Sequence, residues 1–145
     1  MTETDASSDI LHATCVAFGA NAVLILGASG AGKSSLALDL LSRGGVLVSD
    51  DRTRISRSGE DLVASVPTEA GRGLIEARGV GILRVPCMSE APLRLAVDLD
   101  RAPDTRLPER GALTLLGREI DLIRGAGLGN LGAVIHLLLT KGSVV

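Results

Sequence analysis

Aromatic side chains are almost absent. They make up 1% of the 145 residues: Phe18 is the only phenylalanine, and there is no Trp or Tyr. Aliphatic side chains must therefore fill the interior, and a platform of stacked rings for single-stranded nucleic acid is excluded. Neither sign of charge is in excess, with 15 Lys and Arg against 17 Asp and Glu, a net charge of -2 and a pI of about 5.6. A chain so balanced has no general attraction to nucleic acid. Only two cysteines occur, Cys15 and Cys87, both in apolar surroundings and without C-x-x-C spacing. They read as small buried hydrophobes, not as metal or redox groups. No apolar run has the length of a membrane span; the run at 133–139 is far too short and contains His136. The first nine residues are acidic and polar, unlike a secretory signal. These features together lead us to expect a cytoplasmic protein that binds neither membrane nor nucleic acid.

What remains is aliphatic and rich in glycine. Hydrophobic residues are 46% of the chain, which excludes disorder, and the length fits one domain. A domain of this size buries roughly two-thirds of its unfolded surface. Its organising stretch is Gly27-Ala28-Ser29-Gly30-Ala31-Gly32-Lys33-Ser34. The stretch follows the apolar Val23-Leu24-Ile25-Leu26 and opens a helical run, Ser35-Leu36-Ala37-Leu38-Asp39-Leu40-Leu41. Strand, glycine-rich loop and helix, with the spacing G-x-x-x-x-G-K-[ST], predict a phosphate-binding loop. Glycine admits backbone shapes that a Cβ forbids, so successive N–H groups can turn inward onto phosphate oxygens. The helix start adds unpaired N–H groups and a positive dipole end. Lys33 supplies a mobile cation for the outer phosphates. The Ser34 hydroxyl suits Mg²⁺, which keeps most of its shell as water and phosphate oxygen. With Ser35, these residues form the expected nucleotide site. A ligand-free glycine turn is the plain alternative, and the full match at all four fixed positions in the right context weighs against it.

Along the chain, residues 1–9 are expected to be a flexible arm and 10–145 one domain. A strand beginning at His12 should pair, across Gly19-Ala20-Asn21, with the strand that feeds the loop. Apolar spacing predicts a helix over 32–43, stopped by Gly44 and Gly45. A strand at 46–48 then completes a strand–helix–strand unit, as a parallel neighbour of the loop strand. It ends in Ser49-Asp50-Asp51, and ligands bind beyond the carboxyl ends of such strands. Hairpins are expected at 53–57 with 62–66, around Ser58-Gly59-Glu60-Asp61, and at 113–116 with 119–123, around Gly117-Arg118. A strand at 93–99, a proline-containing loop at 101–110 and a last helix to about Leu139, capped by Asn130, complete the reading. The expected class is α/β, a mixed sheet with hairpins and few helices.

Phosphoryl chemistry needs a proton acceptor and a metal site beside the loop. One of Asp50 and Asp51 could take the proton of an attacking hydroxyl; the plain alternative is a solvated acidic turn beside Arg52 and Arg54. Glu76 stands in an apolar segment, where a carboxylate must be paired or bind a cation. It either reaches Mg²⁺ or pairs with Arg72 or Arg78. His12 either orients an aspartate or is a structural histidine, and His136 reads as structural.

These residues resemble the catalytic domain of HPr kinase/phosphorylase, which phosphorylates a serine of the small phosphocarrier protein HPr. The loop with the Leu-Ala-Leu-Asp-Leu-Leu-Ser-Arg-Gly that follows it, the strand Val46-Leu-Val-Ser-Asp-Asp-Arg52, the segment Leu74-Ile-Glu-Ala-Arg-Gly-Val-Gly-Ile82 and the pair His12-Ala13 carry the resemblance. The separations agree as well: His12 lies 21 residues before Lys33, Asp51 lies 17 after Ser34, and Glu76 lies 25 after Asp51. The resemblance implies a P-loop domain similar to phosphoenolpyruvate carboxykinase, with ATP and Mg²⁺ as cofactors and an HPr-like protein as partner. It also implies a role in regulating the phosphotransferase system and carbon metabolism, and a hexamer as in longer members. Asp51 would be the base for phosphorylation, His12 its catalytic neighbour and Lys33 the phosphate-binding cation. Ser34 and Glu76 would hold Mg²⁺, and Arg106 would stand for a catalytic arginine. The chain looks like the form without the family's N-terminal domain. The family's late loop, rich in proline and arginine, is associated with dephosphorylation; its counterpart here, Gly125-Ala-Gly-Leu-Gly129, lacks the arginines, so mainly kinase and not phosphorylase activity is expected. A small-molecule kinase or ATPase on the same scaffold, and a non-catalytic ATP sensor, are the competing readings.

Overall fold

The computed structural model describes residues 8–145. Strands β1 (Ser8–Leu11), β2 (Ala13–Phe18) and β3 (Asn21–Leu26) lead into the glycine loop and helix α1 (Lys33–Ser42). Then come β4 (Val46–Ser49), β5 (Thr53–Ser58), β6 (Asp61–Ser65), a 3-10 turn (Glu69–Gly71), β7 (Leu74–Ala77) and β8 (Gly81–Arg84). Strands β9 (Glu90–Asp98), β10 (Gly111–Leu115) and β11 (Arg118–Arg124) precede helix α2 (Leu131–Thr140). This is the mixed α/β architecture expected from the sequence. No described helix is long and apolar enough to cross a membrane. Residues 1–7 of the expected arm lie outside the described residues; Ser8 and Asp9 belong to β1, which pairs antiparallel with β5.

The main sheet runs β1-β5-β6-β9-β3-β2-β4. Strand β9 holds it together. One edge of β9 pairs in parallel with β3; along the other, its start pairs antiparallel with β6 and its end in parallel with β11. A separate hairpin joins β7 to β8. The expected parallel pairing of β4 with the loop strand is not formed. Strand β2 lies between them, antiparallel to both. The reason is local: β2 and β3 close a hairpin across the two residues Gly19 and Ala20, which occupies one edge of β3, and β9 takes the other. Strand β4 is left with the free edge of β2.

Both faces of the central strands are covered, so β2 is buried throughout and reads as a continuous apolar run. Alternation sorts its side chains. Val16, Phe18, Val23, Ile25, Leu95 and Val97 face the two helices, packing on Ala37, Leu40, Leu131, Ile135 and Leu139. Cys15, Ala17, Ala22, Leu24, Leu93 and Ala96 face the opposite way, against Ile55, Leu62 and Ala64. Burial pushes the Cys15 thiol up, as expected of a structural cysteine, whereas Cys87 is only half-buried. His136 packs its ring on Phe18 with centroids 4.9 Å apart, in keeping with a structural role.

Helix α1 ends at the expected glycines. Gly44 takes φ 102°, and Gly44 and Gly45 donate N–H bonds to Leu41 and Leu40, the paired bonds of a left-handed helix cap. Asn130 stands at the start of α2 but makes no side-chain capping bond, contrary to expectation. Both long hairpins turn on two residues, Gly59-Glu60 and Leu116-Gly117, so the second turn lies one residue earlier than the sequence placed it. Leu116 and Gly117 both have positive φ, the geometry that matches strand twist in a two-residue hairpin.

Strands β3, β9 and β11 run in the same direction, and β4, antiparallel to β2, shares it. Four carboxyl ends therefore meet at one edge of the sheet. They carry the glycine loop, Asp98 to Asp100, the 125–129 loop and the Asp50-Asp51 pair.

Candidate active site

The glycine loop wraps back on its own lysine. Lys33 is 7% exposed, and its Nζ donates to the carbonyl oxygens of Gly27 at 2.7 Å and Ala28 at 3.3 Å. Gly32, immediately before the helix, has φ 102°, where a side chain would be strained. The loop is anchored from β9: the Asp100 carboxylate accepts the Ala28 N–H at 2.9 Å, and the Asp98 carboxylate accepts the Asp100 N–H at 2.9 Å.

Opposite the loop, Asp50 is a hub. Its Oδ1 accepts hydroxyl bonds from Ser34 and Thr14, each at 3.0 Å, and its Oδ2 accepts the Glu76 N–H at 3.4 Å. Thr14 is fully buried on β2 and binds both aspartates, because its oxygen also accepts the Asp51 N–H at 3.1 Å. Asp51 sits at the apex of a tight turn. Arg52 N–H donates to Asp50 O at 2.7 Å across it, and Asp51 has φ 67°. This is a γ-turn in its rare positive-φ form, a strained geometry of the kind that collects at functional sites. A hydrogen bond from the Ser49 hydroxyl to the Arg52 carbonyl clamps the turn.

Between loop and turn lies a cleft of about 360 Å³, lined by Ser29, Gly30, Lys33, Ser34, Asp50, Asp51, Glu76 and Arg78 among others. The fold thus brings together the loop, both aspartates and Glu76. It does not bring His12 or Arg106 to the cleft lining: His12 is exposed at the bend between β1 and β2, and Arg106 is exposed on the 101–110 loop. Glu76 is exposed on the β7–β8 hairpin, so the burial that seemed to demand a partner is absent. Arg72, one suggested partner, pairs with Glu69 at 3.6 Å instead.

Sequence reasoning gave no separate role to Asp50 and did not notice Thr14 or Asp100. Asp50 was visible as half of a pair. Thr14 and Asp100 carry no motif signal, and only the sheet register brings them in. Thr14→Val, which keeps the shape and removes the hydroxyl, is expected to lower unfolding free energy by about 1 kcal/mol. It should also speed amide exchange at Asp51, with Thr14→Ser restoring both; denaturant titration and hydrogen exchange read the two effects.

The cleft's oxygens fit Mg²⁺. Ser34 and Asp50 offer hard donors side by side, and Glu76 faces the same space. Among the described residues no three His, Cys, Asp or Glu side chains form a ready-made cage. Mg²⁺ suits such a site, since it binds through one or two carboxylates plus phosphates and waters. Two cations, Lys33 and Arg78, face three carboxylates in the lining. A triphosphate entering alone would meet net repulsion, which a divalent cation reverses.

The chain matches the family described as HPr Serine kinase C-terminal domain over residues 3–100. It is 34% identical over 131 residues to an HPr kinase/phosphorylase of Alkaliphilus metalliredigens, covering 82% of this chain and 42% of that protein. It is 33% identical over 155 aligned residues to the HPr kinase/phosphorylase of Xanthomonas campestris pv. campestris, covering 91% of this chain and 49% of that one. The chain therefore spans less than half the length of these curated relatives. Among solved structures, the Hpr(Ser) kinase/phosphatase from Coxiella burnetii is similar, with a TM-score of 0.77 and 27% identity over 90% of this chain and 93% of that chain.

Proposed function

The chain belongs to the HPr serine kinase C-terminal domain family, and from that membership we propose that it is an ATP- and Mg²⁺-dependent kinase acting on a serine of an HPr-like phosphocarrier protein. One observation supports this reading most: Asp51 is held on a strained turn that lines the same cleft as Lys33 and Ser34. A nucleotide sensor has no need of a carboxylate fixed there.

The acceptor serine oxygen attacks the γ-phosphorus while its proton passes to the Asp51 carboxylate. The new O–P bond forms as the bond from the γ-phosphorus to the β–γ bridging oxygen breaks, and ADP leaves with that electron pair. Lys33 exchanges the Gly27 and Ala28 carbonyls for the outer phosphate oxygens. Loop N–H groups carry the remaining phosphate charge. Mg²⁺, when bound, neutralises charge on the β- and γ-phosphates; Ser34, Asp50 and Glu76 are the residues that would hold it. His12 and Arg106, outside the cleft lining, are assigned no step. By this activity the protein would regulate the phosphotransferase system.

The test incubates the protein with labelled ATP, Mg²⁺ and HPr, and repeats the incubation with HPr whose acceptor serine is alanine. Label on the first HPr and none on the second is the expected result. Phosphate release indifferent to either would replace this reading with an ATPase or small-molecule kinase.

A further inference from the structure

Four polar side chains are buried among the described residues: Thr14, Lys33, Ser49 and Thr53. Lys33 belongs to the glycine loop. The other three are hydroxyls, and all three bond to the turn that carries Asp51 or fasten it to β2. A buried hydroxyl without a partner costs free energy, so its bonds account for its place in the interior.

The turn runs from Ser49 to Thr53, between β4 and β5. The sheet register sets Cys15 opposite Ser49, so the start of β2 lies beside the turn. At the apex, the Asp51 N–H donates to the Thr14 hydroxyl oxygen at 3.1 Å. The proton of that hydroxyl goes to the Asp50 carboxylate at 3.0 Å, which leaves a lone pair for Asp51. At the far end, the Thr53 hydroxyl donates to the Ala13 carbonyl at 2.8 Å. The Ser49 hydroxyl closes the turn on itself through the Arg52 carbonyl. Branching at Cβ restricts χ1 of both threonines, so their hydroxyls point in fixed directions.

A surface connection normally satisfies its backbone with water. Here Asp51 and Arg52 are exposed, yet the backbone of the turn is bonded inward at three places. A strained positive φ such as that of Asp51 persists only where the surroundings over-determine it. We propose that Thr14, Ser49 and Thr53 are positioning residues for phosphoryl transfer, a buried hydroxyl frame that fixes the Asp51 main chain and so presents its carboxylate to the incoming hydroxyl. The proposal rests on the kinase reading above. Its consequence is for rate: displacing a reacting group by about 1 Å can cost about 10²-fold. The glycine loop, which holds the phosphates, is not touched by the frame.

Thr53→Val gives the cleanest test. Valine keeps the shape, and the Thr53 hydroxyl bonds to no residue lining the cleft. Single-turnover transfer to HPr is expected to slow at least about tenfold, with Mg²⁺-ATP affinity by calorimetric titration unchanged. Amide exchange at Asp51 and Arg52 should quicken. Thr53→Ser, which returns the hydroxyl, should restore both rate and protection. Ile55→Val, the loss of one buried methylene further along β5, is the control: it should lower stability and keep the rate. Ser49→Ala should show the same split as Thr53→Val, and it carries the test if the valine variant does not fold. A folded Thr53→Val or Ser49→Ala that transfers phosphate at the original rate overturns the frame and leaves the kinase reading standing. An equal slowing in Ile55→Val also overturns it, since the rate would then follow stability alone. Absence of transfer to HPr by the unaltered protein overturns the kinase reading and this proposal together.

Discussion

Replacing Asp51 by Asn is expected to slow phosphoryl transfer to HPr by about 10²–10⁴-fold, the usual contribution of a positioned general base. Affinity for Mg²⁺-ATP should change little, because the hydrogen bonds at the Ser34 side of the cleft are made by the neighbouring Asp50. Single-turnover rates and titration of nucleotide separate these two effects. The turn itself sharpens the expectation. Asn tolerates positive φ about as well as Asp, so Asp51→Asn should leave the melting temperature unchanged. Asp51→Gly should remove the same activity and raise stability by about 1 kcal/mol or more, since the φ of 67° no longer strains the residue. Activity lost together with stability gained is the signature of a residue kept for chemistry. If Asp51→Asn transferred phosphate at the original rate, the base would have to be another group.

Lys33→Ala should abolish transfer to within detection, with a loss of at least about 10³-fold and a marked weakening of nucleotide affinity. A cation on transferring phosphoryl oxygens is worth about as much as an oxyanion-hole donor, 10²–10³ in rate, and lost charge-assisted bonds to the bound phosphates add to that. The structure adds a second consequence. Lys33 Nζ bridges the carbonyls of Gly27 and Ala28, so its removal takes away two of the loop's internal ties and leaves the Ala31 N–H bond to Ala28. Lys33→Ala should therefore also lower thermal stability slightly. Lys33→Arg keeps the charge, but its planar fork does not match two converging carbonyls and a point-like phosphate contact. It is expected to recover stability more than rate. A rate unaffected by Lys33→Ala would remove the phosphate loop from the mechanism.

Elements whose signals are local were legible. Helix α1 was set by the spacing of Leu36, Ala37, Leu40 and Leu41 and by the glycines after it, and it forms within one residue of the expected bounds. The two long hairpins were visible as apolar runs around polar tips, though the turn at Leu116 was displaced because no sequence rule favours leucine at positive φ. Pairings between distant segments were not legible. Nothing in 46–48 tells that strand to pair with β2 instead of β3, since an apolar strand fits any buried edge. Glu76 misled for a related reason: apolar neighbours in sequence suggested burial, but its strand belongs to a small hairpin that leaves alternate residues exposed.

By itself the sequence determined the glycine loop and its place between strand and helix, because eight contiguous residues carry its conformational needs in their glycines. It also determined the largely aliphatic core, since Phe18 is the one aromatic filling available. Only the tertiary structure told the two aspartates apart. Asp50 and Asp51 are adjacent and chemically alike, and they diverge because Thr14 and Ser34, which approach from two other elements, fix the first while a strained turn presents the second. A second cleft, beside the first, was decided the same way. Leu36, Leu99 and Leu128 are far apart in the chain, and they line one slot only because parallel strands bring the loops after β9 and β11 to the same edge of the sheet as the start of α1.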